Sequence, residues 1–114
     1  MFVLPCFASP WPGTLFWTHY ALAQLFRNER KFDDAHVHIE RAKVHNVNNA
    51  YRLARAIEFQ ATVWYEQHEL EEAKSEALHV LEIYEKLGAA GGVENCRDLL
   101  QKIERAMETR STRF

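Results

Sequence analysis

The residues of this chain best suited to chemistry are its six histidines, His19, His36, His38, His45, His68 and His79. An imidazole titrates near neutral pH and ligates transition metals, so these positions raise a metal site or a general base as the first possibilities. His36 and His38 are two positions apart on what reads as a helix. They therefore point in different directions and do not form the i, i+4 pair that shares an ion. No Cys, Asp or Glu recurs at ligand spacing beside His19, His45, His68 or His79, so a structural or surface role is expected for each. The acid pairs Asp33-Asp34 and Glu71-Glu72 resemble paired catalytic carboxylates, but each falls where a helix begins, and negative charge at the positive end of the macrodipole explains both. Cys96 lies on an apolar helical stripe without a partner histidine, which suits a small packing residue better than a nucleophile. Gly88 to Gly92 lacks the lysine and following Ser or Thr of a phosphate-binding loop. No nucleophile, base and orienter assemble from these residues, so the expectation is not an enzyme, with no metal and no cofactor.

The bulk properties narrow the partners. The chain has 114 residues, of which 47% are hydrophobic and 26% charged, with a net charge of −2. That is the composition of a globular protein rather than a disordered one. Nucleic-acid binding by counterion release needs clustered Lys and Arg, whereas Arg97, Lys102, Arg105, Arg110 and Arg113 are interleaved with Glu94, Asp98, Glu104 and Glu108. The aromatics Phe26, Trp64, Tyr65 and Tyr84 fall at packing positions, not on a base-stacking platform. Cys6 and Cys96 suggest no disulfide framework, and the apolar start, broken by Pro5, Pro10 and Pro12, is a poor signal peptide too short to span a bilayer. The expected setting is cytoplasmic, with no membrane and no nucleic-acid partner.

These residues must be carried by helices. Three prolines and a glycine make 1–14 an irregular lead-in. From Thr14 to about Asn28, Leu15, Tyr20, Leu22, Ala23 and Phe26 fall largely at three- and four-residue steps. A second helix from Phe32 buries Ala35, Ile39 and Ala42. A third, about Asn49 to Gln67, carries one stripe at Ala50, Leu53, Ala54, Ile57, Ala61 and Trp64 and another at Ala56, Phe59 and Val63, so it should lie between neighbours. The fourth, Glu69 to Leu87, presents Ala73, Ala77, Val80, Leu81, Tyr84 and Leu87, and Gly88 stops it. The fifth, Val93 to Met107, is apolar on one side, through Val93, Cys96, Leu99 or Leu100, Ile103 and Met107. The expected domains are 1–14, a helical domain over 15–108, and a fraying tail over 109–114.

The segment Ala61–Ala73 repeats the pattern of Ala23–Ala35: a small residue, an aromatic three positions on (Phe26, Trp64), a polar turn, one apolar residue (Phe32, Leu70), two acids and an alanine. With Ile39 and Ala42 in the first unit and Ala77 and Val80 in the second, the pattern resembles the tetratricopeptide repeat. It is the degenerate, longer-period kind, since 38 positions separate Ala35 from Ala73. Gln60 replaces the apolar Leu22 of the first repeat, and its amide is expected to reach a backbone carbonyl or the groove edge. The runs Tyr20–Arg27 and Tyr84–Cys96 are also similar to C-terminal repeats of large fungal proteins in which such an array follows a nucleotide-binding signalling domain.

The resemblance implies an all-α, right-handed α-solenoid of antiparallel helix pairs, about two repeats with a C-terminal capping helix, and a part of a longer array. It implies a scaffold whose concave groove takes a protein or peptide partner. Carried over through the matched alanines, the groove residues are Trp17, Tyr20, Gln24 and Arg27 in the first repeat and Arg55, Glu58, Thr62 and Tyr65 in the second. The Lys and Asn with which some members clamp a terminal carboxylate are absent from these positions. Other repeats of the array, or a second copy, are further partners the resemblance implies; the alternative role is the sensing or autoinhibitory end of a nucleotide-driven switch.

Overall fold

The computed structural model describes residues 12–45 and 49–112, and among them the only regular element is the α-helix. In chain order these are α1 (Pro12–Asn28), α2 (Phe32–Val44), α3 (Ala50–Glu66), α4 (Leu70–Leu87) and α5 (Ala90–Thr112). Contacts divide them between Asn49 and Ala50 into two compact units, where the sequence pattern leads one to expect a single domain over 15–108. The prolyl lead-in expected over 1–14 lies outside the described residues except for its end, which is helical. Pro12 opens α1 because a first-turn proline lacks only an N–H that has no intrahelical partner anyway.

In the first unit α1 packs against α2. Phe16, Tyr20 and Ala23 are the buried residues of α1, and Ala35, Ile39 and Ala42 those of α2. The α2 stripe is the one its spacing predicts. The α1 stripe is rotated from the expected one, leaving Leu15, Leu22 and Phe26 only half-buried. Large apolar residues run nearly all round α1, so periodicity alone does not select the buried side.

The turn between them closes as a Schellman motif. Arg30 takes the left-handed conformation at φ 62°, its N–H donates to the Arg27 carbonyl at 2.9 Å, and the Lys31 N–H donates to the Phe26 carbonyl at 2.8 Å. Lys31 then stands at the N-cap of α2 without a side-chain cap bond, and Asp33 and Asp34 supply the first-turn acids.

The same turn recurs between α3 and α4. His68 has φ 64°, its N–H donates to the Tyr65 carbonyl at 3.0 Å, and the Glu69 N–H reaches the Trp64 carbonyl at 2.9 Å. A third copy ends α4: Gly88, at φ 71°, donates to the Glu85 carbonyl at 3.2 Å, and Ala89 to that of Tyr84 at 3.0 Å.

In the second unit α4 packs on both α3 and α5. One buried cluster joins Ala61, Leu70, Ala73, Ala77, Leu99 and Ile103, with Trp64, Tyr65, Leu100, Ala106 and Met107 against it. The other joins Ala54, Ile57, Val80, Tyr84 and Cys96. Burying a side chain the size of Ile103 or Val80 contributes about 1.5–3 kcal/mol. Of the first expected stripe of α3, Ala54, Ile57 and Ala61 are buried, Leu53 and Trp64 half-buried and Ala50 exposed; the second is buried through Ala56, Phe59 and Val63. Gln60 is buried too, at 5% exposure, and it is not without a partner.

The last helix is longer than the 93–107 expected. Gly91 and Gly92 belong to its first turn rather than to a loop, and a Cβ on Gly92 would sit 2.6 Å from the Tyr84 ring. The helix continues through Thr112, where a frayed tail is expected from residue 109. Arg97–Glu85 at 3.7 Å, Lys74–Glu104 at 3.9 Å and Arg110–Glu71 bridge α4 and α5. All are exposed, so they align the helices more than they hold them.

Candidate partner-binding residues

Every residue expected to face a partner is helical, four on α1 and four on α3, and each set is described within its own unit. On α1 the steps from Trp17 to Tyr20, Gln24 and Arg27 follow one face. Trp17 is exposed at 40% and sets its ring edge against Phe16 at 4.7 Å. Gln24 is exposed and Arg27 half-buried. Tyr20 corrects the expectation: at 8% exposure it belongs to the interior, its ring 5.9 Å from Phe16 and 5.4 Å from Trp17.

On α3, Arg55, Glu58, Thr62 and Tyr65 are all half-buried, and neighbouring side chains already engage them. The Arg55 guanidinium lies 5.9 Å from the centre of the Tyr51 ring and donates to the Tyr51 hydroxyl at 3.2 Å. Glu58 accepts from the Tyr84 hydroxyl at 2.7 Å. The Thr62 hydroxyl donates to the Glu58 backbone carbonyl at 3.0 Å. Tyr65 packs on the Ala61–Leu70–Ala73 cluster. Glu58 and Tyr65 are thus correspondingly less free to read a ligand, a second correction. Of the eight, Trp17 and Gln24 are the exposed ones.

Tyr51 and Tyr84 complete the arrangement on α3 and α4, with ring centres 6.2 Å apart and edge to face. Burial, followed by the hydrogen bond to Glu58 and the charge of its carboxylate, pushes the Tyr84 phenol well above its usual range, so it stays protonated and donates. Burial also pushes the Cys96 thiol up, to about 12, with Glu58 adding to the effect. The thiolate required of a nucleophile is therefore disfavoured. The contact between Glu58 and Tyr84 was not among the expectations; its sequence signal is a polar residue on α3 one turn from the buried Ala54, opposite a tyrosine on the α4 stripe.

Two open depressions lie in the second unit. One, of about 580 Å³, is lined by residues of α4 and α5 including Glu85, Glu94, Arg97 and Asp98. The other, of about 460 Å³, lies among His68, Leu70, Ala106, Thr109 and Arg110. Among the described residues no group of three or more His, Cys, Asp or Glu is arranged to hold a metal ion, and no helix is long and apolar enough to cross a membrane.

In the first unit the structure joins histidines that sequence spacing keeps apart. His19 of α1 faces His38 of α2, Nδ1 to Nδ1 at 3.4 Å, and the His45 ring lies parallel to that of His19 with centres 5.7 Å apart. His45 caps the C-terminal end of α2, and only the α1–α2 pairing brings His19 to it and to His38. Comparisons with protein-family models, curated proteins and solved structures return no match.

Proposed function

We propose that the chain is a protein-interaction module of tetratricopeptide type, which presents helix surfaces to a peptide or a partner domain. The observation that supports this reading is the repetition of one hairpin design. Arg30 and His68 take the same left-handed conformation at matched positions, and the alanines that flank each turn, Ala23 and Ala35, then Ala61 and Ala73, are all fully buried. Small residues with no exposure are what close helix crossing requires, and repeated close crossings are how this family stacks its helices. Within the first unit the exposed Trp17 and Gln24 place an aromatic and an amide on one face of α1, which suits an extended or helical peptide carrying apolar and polar positions.

Affinity capture with the wild type and with a Trp17→Ala, Gln24→Ala variant tests the proposal, with circular dichroism used to verify the fold. The expected result is a set of partners held by the wild type and lost by the variant. Identical partner sets from both proteins would overturn the groove assignment.

A further inference from the structure

Three histidines of the first unit meet where α1 and α2 pack. The ring centres of His19 and His38 are 5.6 Å apart while their Nδ1 atoms are 3.4 Å apart. The centre separation exceeds the nitrogen separation by about the width of one ring, so the two nitrogens point at each other. One of them must then carry a hydrogen and the other a lone pair. The His45 ring lies parallel to that of His19, within 4° and with centres 5.7 Å apart. Phe26 lies parallel to His38, within 12° and with ring centres 5.2 Å apart.

The charges around this cluster are one-sided. α1 has no acidic residue, and Arg27 is the charged side chain of its last turn. The acids of α2 are Asp33 and Asp34 in its first turn and Glu40, which pairs with Lys43 at 3.2 Å. The groups acting on His19 besides burial are His38, His45 and Arg41, all basic.

We propose that His19, His38 and His45 form a proton-operated latch between α1 and α2. With one hydrogen shared between the facing nitrogens the latch is closed, and further protonation of the cluster opens it. A hydrogen on both Nδ1 atoms sets two donors head-on with no acceptor between them. A charge on His19 also stands beside Arg41, which is positive throughout. α1 offers no carboxylate to a charge on His19, so the favourable response is for α1 to leave α2 and hydrate the rings more fully.

The sign follows from His19, which burial, then His38, His45 and Arg41, hold below the usual value of 6.5. The open hairpin binds more protons than the closed one below that value. The contribution of His19 to closure is therefore fully present above about pH 6.5 and is lost as the pH falls towards the lowered value of the folded state. Each linked proton weakens closure by up to about tenfold per pH unit in that window.

The test is amide hydrogen exchange on the full chain between pH 8 and pH 5. It is read as protection of α2 amides relative to α4 amides at the same pH, which removes the intrinsic pH dependence. The expected result is a fall in that ratio below about pH 6.5, with loss of the Phe26–His38 ring contact by NMR and retention of Tyr51–Tyr84. In His38→Gln and, separately, His45→Gln, which cannot charge, the fall should shrink. A wild-type ratio that stays constant down to pH 5 overturns the latch, as does an undiminished fall in either folded variant.

Discussion

Gly91 and Gly92 are neighbours in the first turn of α5, and replacing each by alanine should change stability in opposite directions. A Cβ on Gly91 meets nothing within 4 Å, whereas one on Gly92 would come within 2.6–2.7 Å of three atoms of the Tyr84 ring. That ring has little room to yield: Tyr84 is 1% exposed and its hydroxyl is held by Glu58 at 2.7 Å. Both substitutions gain the helical preference of alanine over glycine, at most about 1 kcal/mol and less in a first turn. Only Gly92→Ala overpacks the core, at a cost of about 1–3 kcal/mol. The shared propensity gain cancels in the comparison, so the difference between the variants isolates the clash. With a urea dependence of about 1–3 kcal/mol per molar, the two midpoints should differ by roughly 0.5–2 M, Gly92→Ala being the lower. Urea unfolding followed by helical circular dichroism measures both. A Gly92→Ala protein as stable as Gly91→Ala would refute the close approach of α5 to Tyr84.

The repeated turn makes a paired prediction. Arg30 and His68 hold left-handed backbone without being glycine, at a cost of roughly 1–2 kcal/mol. Arg30→Gly and His68→Gly should therefore each stabilise the protein by about 0.5–1 kcal/mol, after the greater unfolded-state entropy of glycine is allowed for. Gly88→Ala should destabilise it by about 1 kcal/mol, and thermal melts of the three variants check the signs. Ala61 is fully buried beside Leu70 and Ala73, so Ala61→Leu should lower stability by about 1–3 kcal/mol; an unchanged melt would contradict the close α3–α4 crossing. In a Cys6→Ser background, the Cys96 thiol, buried and pushed up to about 12, should resist a thiol reagent at pH 8 and react only as the chain unfolds in urea.

The hairpins were legible because their determinants are local. Ala35, Ile39 and Ala42 recur at three- and four-residue steps along α2, so the stripe identifies its own buried face although Val37 and Val44 stay exposed. Alanine at 23, 35, 61 and 73 signals close crossing whatever else surrounds it. Gly88 was recognisable as a stop because a glycine after an apolar stripe takes the left-handed cap at no steric cost. Arg30 and His68 were not recognised, since their side chains carry no preference for that conformation and the turn imposes it. The face of α1 was misread for the opposite reason: Leu15, Phe16, Trp17, Tyr20, Leu22, Leu25 and Phe26 surround the axis, and only the partner helix selects Phe16 and Tyr20 for burial. The candidate site was legible as a row of positions on two helices, but not in its accessibility, because Tyr20 and Glu58 are engaged by residues distant from them in the chain or by the packing of the helix.

The amino-acid sequence by itself determined the helices, the two matched hairpins and the small residues on which they close, since backbone preference and apolar period act over a few residues. Only the tertiary structure decided that Glu58 holds Tyr84, that Gly92 leaves room for that ring, and that His19 meets His38 and His45. Each of these joins side chains from different helices, and no period along one helix encodes which residue of another will lie opposite.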